Sequence, residues 1–403
     1  MINIQPFKGI RPTRDKVQLA ASRSYVTYNK RNLQQKLATN PYSFLHIIHP
    51  EGAEKLKGTA RFMEVRNRFV DFIREGIFMR DDQEAFYLYE QTIEGEIYRG
   101  WIGVVATEDY RDGKIKVHEN TLTKREEMFR EYLEVTGFHA EPVLLAHKED
   151  VYLRDLANSV ARERAEYEFT SADRITHKLW VVKGGTNTQY ITDMFAKHDC
   201  LYIADGHHRS ASSALLGRGK AQNDPANFCM AFLLPYSQLN SKPFYRLLKH
   251  PSMSNIDDLC RILDAANLSY RPVADPDAWN ENDGVLAFDV EGKSVAIQWP
   301  KEDVSPVEQL PTRQLYRHIL RPFGNIIDDR NDKRLQYEPA IESVSAILPL
   351  MKQKRFQLGF LPPPIPFETV MKIADLGETM PPKSTYIEPK LRSGMVVYPL
   401  GDI

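Results

Sequence analysis

The segment Leu201-Tyr202-Ile203-Ala204-Asp205-Gly206-His207-His208-Arg209-Ser210 constrains this chain more than any other. Four apolar residues read as a short buried strand, and the strand ends in a carboxylate. Gly206 permits a tight turn because it carries no Cβ. Two imidazoles and a guanidinium follow, and the pattern predicts a helix over 210–216. A strand, a glycine turn and a helix leave unpaired backbone N–H groups at the bend, where anions bind. Arg209 is suited to bidentate pairing with phosphate oxygens. Asp205 is suited to Mg²⁺, held directly or through water. Two simpler readings stand beside this one. The His and Arg side chains could satisfy nearby carbonyls, or the imidazoles could bind zinc. Adjacent histidines diverge and no Cys lies close in sequence, which argues against zinc.

The rest of the chain mixes strand and helix patterns. Phe62, Val65, Phe69 and Phe72 predict an amphipathic helix over 59–75, stopped by Gly76. Aromatic and β-branched runs at 85–92 and 97–106 flank Glu94-Gly95 and predict a hairpin. Thr123-Lys124-Arg125-Glu126 has capping-box spacing, with Gly137 closing the helix. Strands are predicted at 143–146, 179–182 and 228–234, the last buried on both faces, and a second hairpin around Glu291-Gly292. The section 380–400 reads as loop with one strand. Strict βαβ alternation is missing, so the expected class is α+β with a mixed sheet. The division expected is a region 1–240 and a region 241–403 that returns a Pro/Lys-rich loop to the site.

Two further clusters carry polar chemistry. Lys116-Val117-His118-Glu119-Asn120-Thr121 offers Glu119 as a general base, since a carboxylate takes a hydroxyl proton when held within reach. Leu122 stands where a metalloprotease would need its second His. In the run 380–394, Pro381-Pro382 stiffens the path, and Lys383, Lys390 and Arg392 are candidate phosphate clamps. A solvated loop is the plainer reading of both clusters. Walker A, dinucleotide Gly-x-Gly-x-x-Gly, kinase catalytic-loop and Gly-x-Ser-x-Gly patterns are absent.

The 53 Lys and Arg offset 54 Asp and Glu among 403 residues, so no global positive field attracts nucleic acid or anionic lipid. Cys200, Cys229 and Cys260 fit neither a disulfide framework nor a close-spaced zinc pattern. The opening residues lack a signal-peptide pattern and no apolar run reaches membrane-span length, so the expected compartment is the cytoplasm.

Asp205 to Arg209, preceded by Tyr202-Ile203-Ala204, resembles the signature of the DUF1015 proteins of the ParB/sulfiredoxin-like superfamily. The resemblance extends to Ile4 through Pro12, Asn40 through His46, His118 through Thr121, His177-Lys178-Leu179-Trp180 and the run 380–394. It implies a ParB/sulfiredoxin-like core elaborated by large insertions and an additional α/β region. Related proteins include free L-serine kinases, which make O-phospho-L-serine from serine with ATP or ADP. By that resemblance Asp205, Gly206, His207, His208 and Arg209 bind nucleotide phosphates and Glu119 is the base toward the serine hydroxyl. His208 and Asp205 assist catalysis, with Asp205 placing Mg²⁺, while His118 and Thr121 orient the acceptor. The expected partners are ATP and L-serine or a similar hydroxy amino acid, with no membrane and no nucleic acid. A non-catalytic nucleotide- or amino-acid-binding regulator is the alternative. The chain departs from the family pattern at Ser24-Tyr25-Val26, where the usual carboxylate is missing, and at Met128-Phe129, where Asp-Arg is usual.

Overall fold

The computed structural model describes residues 1–24, 27–250, 253–300 and 303–403. The departure at Tyr25 and Val26 therefore lies outside the described residues. The chain divides into two compact units, one of 1–239 with 389–403 and one of 240–388.

The first unit is built on a nine-stranded mixed sheet. Its strands are β1 (Ile4–Gln5), β2 (Ala85–Ile93), β3 (Glu96–Ala106), β4 (Ile115–Lys116), β5 (Val143–His147), β6 (Tyr167–Thr170), β7 (Thr176–Lys183), β8 (Leu201–Asp205) and β9 (Phe228–Pro235). The order is β4-β8-β5-β9-β3-β2-β7-β6, with β1 paired to β3. Among the described residues only β4 with β8 and β5 with β9 run parallel. The β2–β3 turn forms as the sequence predicts. Glu94 (φ 52°) and Gly95 (φ 91°) are both left-handed, the backbone a two-residue hairpin needs to match strand twist.

Every residue of β5 is buried, as is the run 229–234 of β9, because both faces of the sheet are covered. On one face Leu145, Ile203, Ala231 and Leu233 join a core with Leu153 and Phe195. These last two come from the helices α4 (Val151–Val160) and α5 (Gly185–Ala196). A separate aromatic core gathers Phe44, Phe69, Phe72, Phe78 and Phe138 around α2 (Gly58–Arg74). Ahead of α2 lies α1 (Lys30–Thr39), whose ten residues include none that is buried.

Two helices border the bend at Gly206. Helix α3 (Thr123–Thr136) ends as expected on Gly137, at φ 76°. Its start differs from the expected capping box. Leu122 is the N-cap residue, and Glu126 instead accepts from the Thr121 hydroxyl. Helix α6 spans His207–Leu216, three residues longer at its start than the apolar pattern indicates. The His-His-Arg triplet has no apolar periodicity, yet it forms the first helical turn.

The second unit carries a six-stranded antiparallel sheet. Cores cover both its faces, one including Leu259, Val285 and Phe360, the other Tyr245, Leu286 and Phe288. The first and last residues of the unit, Asn240–Lys242 and Tyr386–Glu388, pair as an antiparallel ribbon. Among the described residues no helix is long and apolar enough to cross a membrane.

Candidate active site

Strand pairing brings the two polar clusters of the first unit together. In β4 and β8, Leu201 faces Ile115 and Tyr202 faces Lys116 in parallel register. The segments that follow these strands therefore leave from the same sheet edge, where open α/β sheets gather ligands. One holds His118 and Glu119, the other Asp205 to Arg209. Strand β5 runs antiparallel to β8 and starts at this edge, with Leu144 opposite Asp205. A register shift between Ile203 and Asp205 turns the strand end outward. Gly206 then takes φ 99°, ψ 30° and serves as the N-cap of α6.

His207, the first residue of α6, is 7% exposed, and His118 is 2% exposed. The two rings meet edge to face, with centroids 4.4 Å apart. Burial holds His118 well below the ordinary imidazole value, and the neighbouring His207 adds to the effect. Burial likewise lowers His207 to about 4, with Asp205 opposing and His208 assisting. Both rings are neutral at pH 7. His207 Nδ1 lies 3.8 Å from Glu119 Oε2, so this is a neutral imidazole beside a carboxylate rather than an ion pair. His207 Nε2 and His118 Nδ1 are buried and make no hydrogen bond among the described residues. Such atoms cost free energy unless something binds them.

Charge surrounds the bend. Asp205 Oδ2 lies 3.5 Å from Arg209 Nη2 and 3.6 Å from Lys390 Nζ. Burial works against ionisation of Asp205, but Lys390, Arg209 and His207 prevail and hold its carboxyl below the ordinary value. Arg209 also contacts Glu141 Oε1 at 3.1 Å and donates to the Pro142 carbonyl at 2.6 Å. The plainer reading of Arg209, as a group that satisfies local carbonyls, is thus realised in part. The site is open to solvent. The side chains of Glu119, Lys390 and Asp205 are 37%, 39% and 42% exposed.

The structure therefore gathers His118, Glu119, Asp205, Gly206, His207, Arg209 and Lys390. His208 is half-buried in the first turn of α6, and its carbonyl accepts from Ser212. The Thr121 hydroxyl donates to Glu126 at the start of α3. Arg392 turns elsewhere. It is 7% exposed, and its Nη2 bonds both Asp173 oxygens at 2.6 Å and Ser171 Oγ at 3.1 Å. Burial opposes the charge on Asp173, but Arg392 and Ser171 bring its carboxyl down to about 2. His177 joins the same network through Ser171 and Tyr89. Lys383 belongs to the second unit, at φ 55°, with its ammonium over the Phe244 ring. Sequence reading missed Glu141, whose carboxylate holds Arg209 and accepts from Ser393. No local pattern marks it, because its role depends on β5 pairing with β8.

Among the described residues no group of three or more His, Cys, Asp or Glu stands close enough to hold a metal ion. Asp205 alone, with two cations on one oxygen, does not form a Mg²⁺ site. It fits Mg²⁺ only as one ligand of an ion that phosphate oxygens bring with them.

Over residues 4–312 the sequence matches the family DUF1015, described as a protein of unknown function. No curated protein matches the chain. Solved structures similar to it include a free serine kinase mutant in complex with AMP, at 16% identity and a TM-score of 0.41, covering 74% of this chain and 91% of that one. A conserved hypothetical protein from Pyrococcus furiosus is similar at 16% identity and 0.39, covering 74% and 94%. SbnI with a C-terminal truncation, from Staphylococcus aureus, is similar at 11% identity and 0.40, covering 74% and 87%.

Proposed function

Because this chain belongs to the DUF1015 family, we propose that it is a small-molecule kinase with a ParB/sulfiredoxin-like core, transferring the γ-phosphoryl group of ATP to the hydroxyl of free L-serine. The products are O-phospho-L-serine and ADP. One observation carries the reading. A helix N-terminus, with two buried imidazole nitrogens that have no hydrogen-bond partner among the described residues, opens beside a solvent-reaching carboxylate, Glu119.

Each residue has a part in that chemistry. The free N–H groups of α6 and the N–H of neutral His207 donate to phosphate oxygens. Arg209 and Lys390 neutralise charge on the transferring group, which spreads over its equatorial oxygens. Glu119 accepts the proton as the serine oxygen forms its bond to phosphorus and the bridging oxygen leaves with ADP. His118, packed on His207, fixes the ring that faces the acceptor. Mg²⁺ carried by the nucleotide would neutralise phosphate charge, with Asp205 among its ligands. ADP would present the same phosphate chemistry to this seat. The expected setting is the cytoplasm.

The test is direct. The purified full chain is incubated with Mg-ATP, or Mg-ADP, and a panel of hydroxyl amino acids, and products are identified by mass. Phosphoserine is the expected product. Nucleotide binding without any phosphorylated amino acid would replace the kinase by a nucleotide-binding regulator.

A further inference from the structure

Helix α1 presents a stripe that meets no core. Lys30, Leu33, Gln34 and Leu37 follow the i, i+3, i+4, i+7 spacing of one helix face, and all four line a cavity of about 200 Å³. That is far more than the ~15 Å³ one water needs. An isolated ten-residue helix is marginal in water, and helices of this length persist by burying their apolar face. Here Leu33 and Leu37 stay half-buried, and no residue of α1 is fully buried.

The opposite wall supplies Pro50 and Ala53, both buried, and a polar group of His49, Glu54 and Arg61. Arg61 and Glu54 both stand near enough to act on the His49 ring, which burial and Arg61 keep below its ordinary value. Neither Lys30 nor Arg61 makes a hydrogen bond or ion pair with a side chain among the described residues. The Glu54 carboxylate accepts from the Gly52 N–H at 3.3 Å. Lys30 from α1 and Arg61 from the opposite wall, against the one engaged carboxylate of Glu54, leave the cavity lining as a whole with a net positive charge. The lining thus joins apolar groups (Leu33, Leu37, Pro50 and Ala53) to a net positive charge.

From this pairing of two leucines on one helix face with two cations that have no side-chain partner among the described residues, around one hollow, we infer that the cavity binds a small apolar carboxylate of amino-acid size. Its carboxylate meets Arg61 and Lys30, and its hydrocarbon part lies between Leu33, Leu37, Pro50 and Ala53. The site is separate from the residues at the bend, and the inference does not depend on the kinase reading.

Calorimetry of the full chain with 4-methylpentanoate, with the matched alcohol 4-methylpentanol and with 3-methylbutylamine tests it. The expected result is one carboxylate per chain, with alcohol and amine at least about tenfold weaker, since each loses a charge-assisted contact. Arg61→Gln is expected to weaken the carboxylate about tenfold with Tm unchanged, and Lys30→Gln, on an exposed position, to weaken it in the same direction. Amide exchange over 30–39 is expected to slow on binding. Equal affinity for carboxylate and alcohol, unchanged affinity in both variants, or unaltered exchange in α1 would each overturn the assignment. None of these readouts requires turnover, so their failure leaves the kinase test untouched.

Discussion

At the scale of single residues, Glu119 and Arg392 separate two kinds of polar group. Glu119 is a partly exposed carboxylate whose Oε2 lies 3.8 Å from the Nδ1 of a neutral ring. In Glu119→Gln, turnover is expected to fall by about 10²–10⁴-fold while nucleotide affinity stays within about twofold. Single-turnover assays and nucleotide titration check this, and an equal loss of both would move Glu119 into the phosphate seat. Arg392 is a buried partner of Asp173. Arg392→Ala is expected to cost about 2–3 kcal/mol of stability, less than a fully buried pair because Asp173 is partly solvated. Its nucleotide affinity should hold. Lost affinity with unchanged urea midpoint would restore Arg392 as a clamp. Sequence reading put Lys390 and Arg392 in one class because both are cations on one proline-rich run. Their partners, Asp205 and Asp173, come from distant parts of the chain, and only folding distinguishes the two.

At the scale of elements, local chemistry was readable where it was self-contained. Glu94-Gly95 sets its own turn, and Gly137 ends its own helix. The start of α6 was not readable, because His207, His208 and Arg209 are held in helical form by the Gly206 bend and the packing around it. Gly206 is the test of that bend. A Cβ there would stand 3.0 Å from Val143 Cγ1 and 3.2 Å from Arg209 Nη2, at a φ of +99°. Gly206→Ala is expected to destabilise by about 1–2 kcal/mol and to weaken anion binding, because the N–H groups of α6 and Arg209 must shift. Titration with inorganic phosphate or nucleotide, beside a urea melt, reads both effects. The capping box failed for a related reason. Thr123 had the right spacing, but Thr121 engages Glu126 first.

At the scale of the whole molecule, buried histidines link stability to pH. Burial is the leading cause that lowers His139 and His177 to about 3, and His147 and His207 to about 4, all in the first unit. The unfolded chain would protonate each near pH 6.5, while the folded chain does not. Stability is therefore full above pH 6.5 and lost as pH falls from 6.5 toward 4, at about 1.4 kcal/mol per pH unit for each histidine. Urea midpoints at pH 7.5, 6.0 and 5.0 check the trend. A midpoint independent of pH over that window would mean that these rings are protonated in the folded state.

What the sequence determined by itself was chemistry and local form: a mixed sheet with helices, an anion-suited bend after Ala204, and a carboxylate in a separate loop. These follow from residue type and short-range spacing, which act within a few bonds. What only the tertiary structure decided was company. The parallel pairing of Ile115–Lys116 with Leu201–Asp205 sets Glu119 beside His207, and the assignment of 389–403 to the first unit gives Asp205 its Lys390. Contacts between remote segments depend on which strands bury each other, and that choice is made by the packing of the whole sheet.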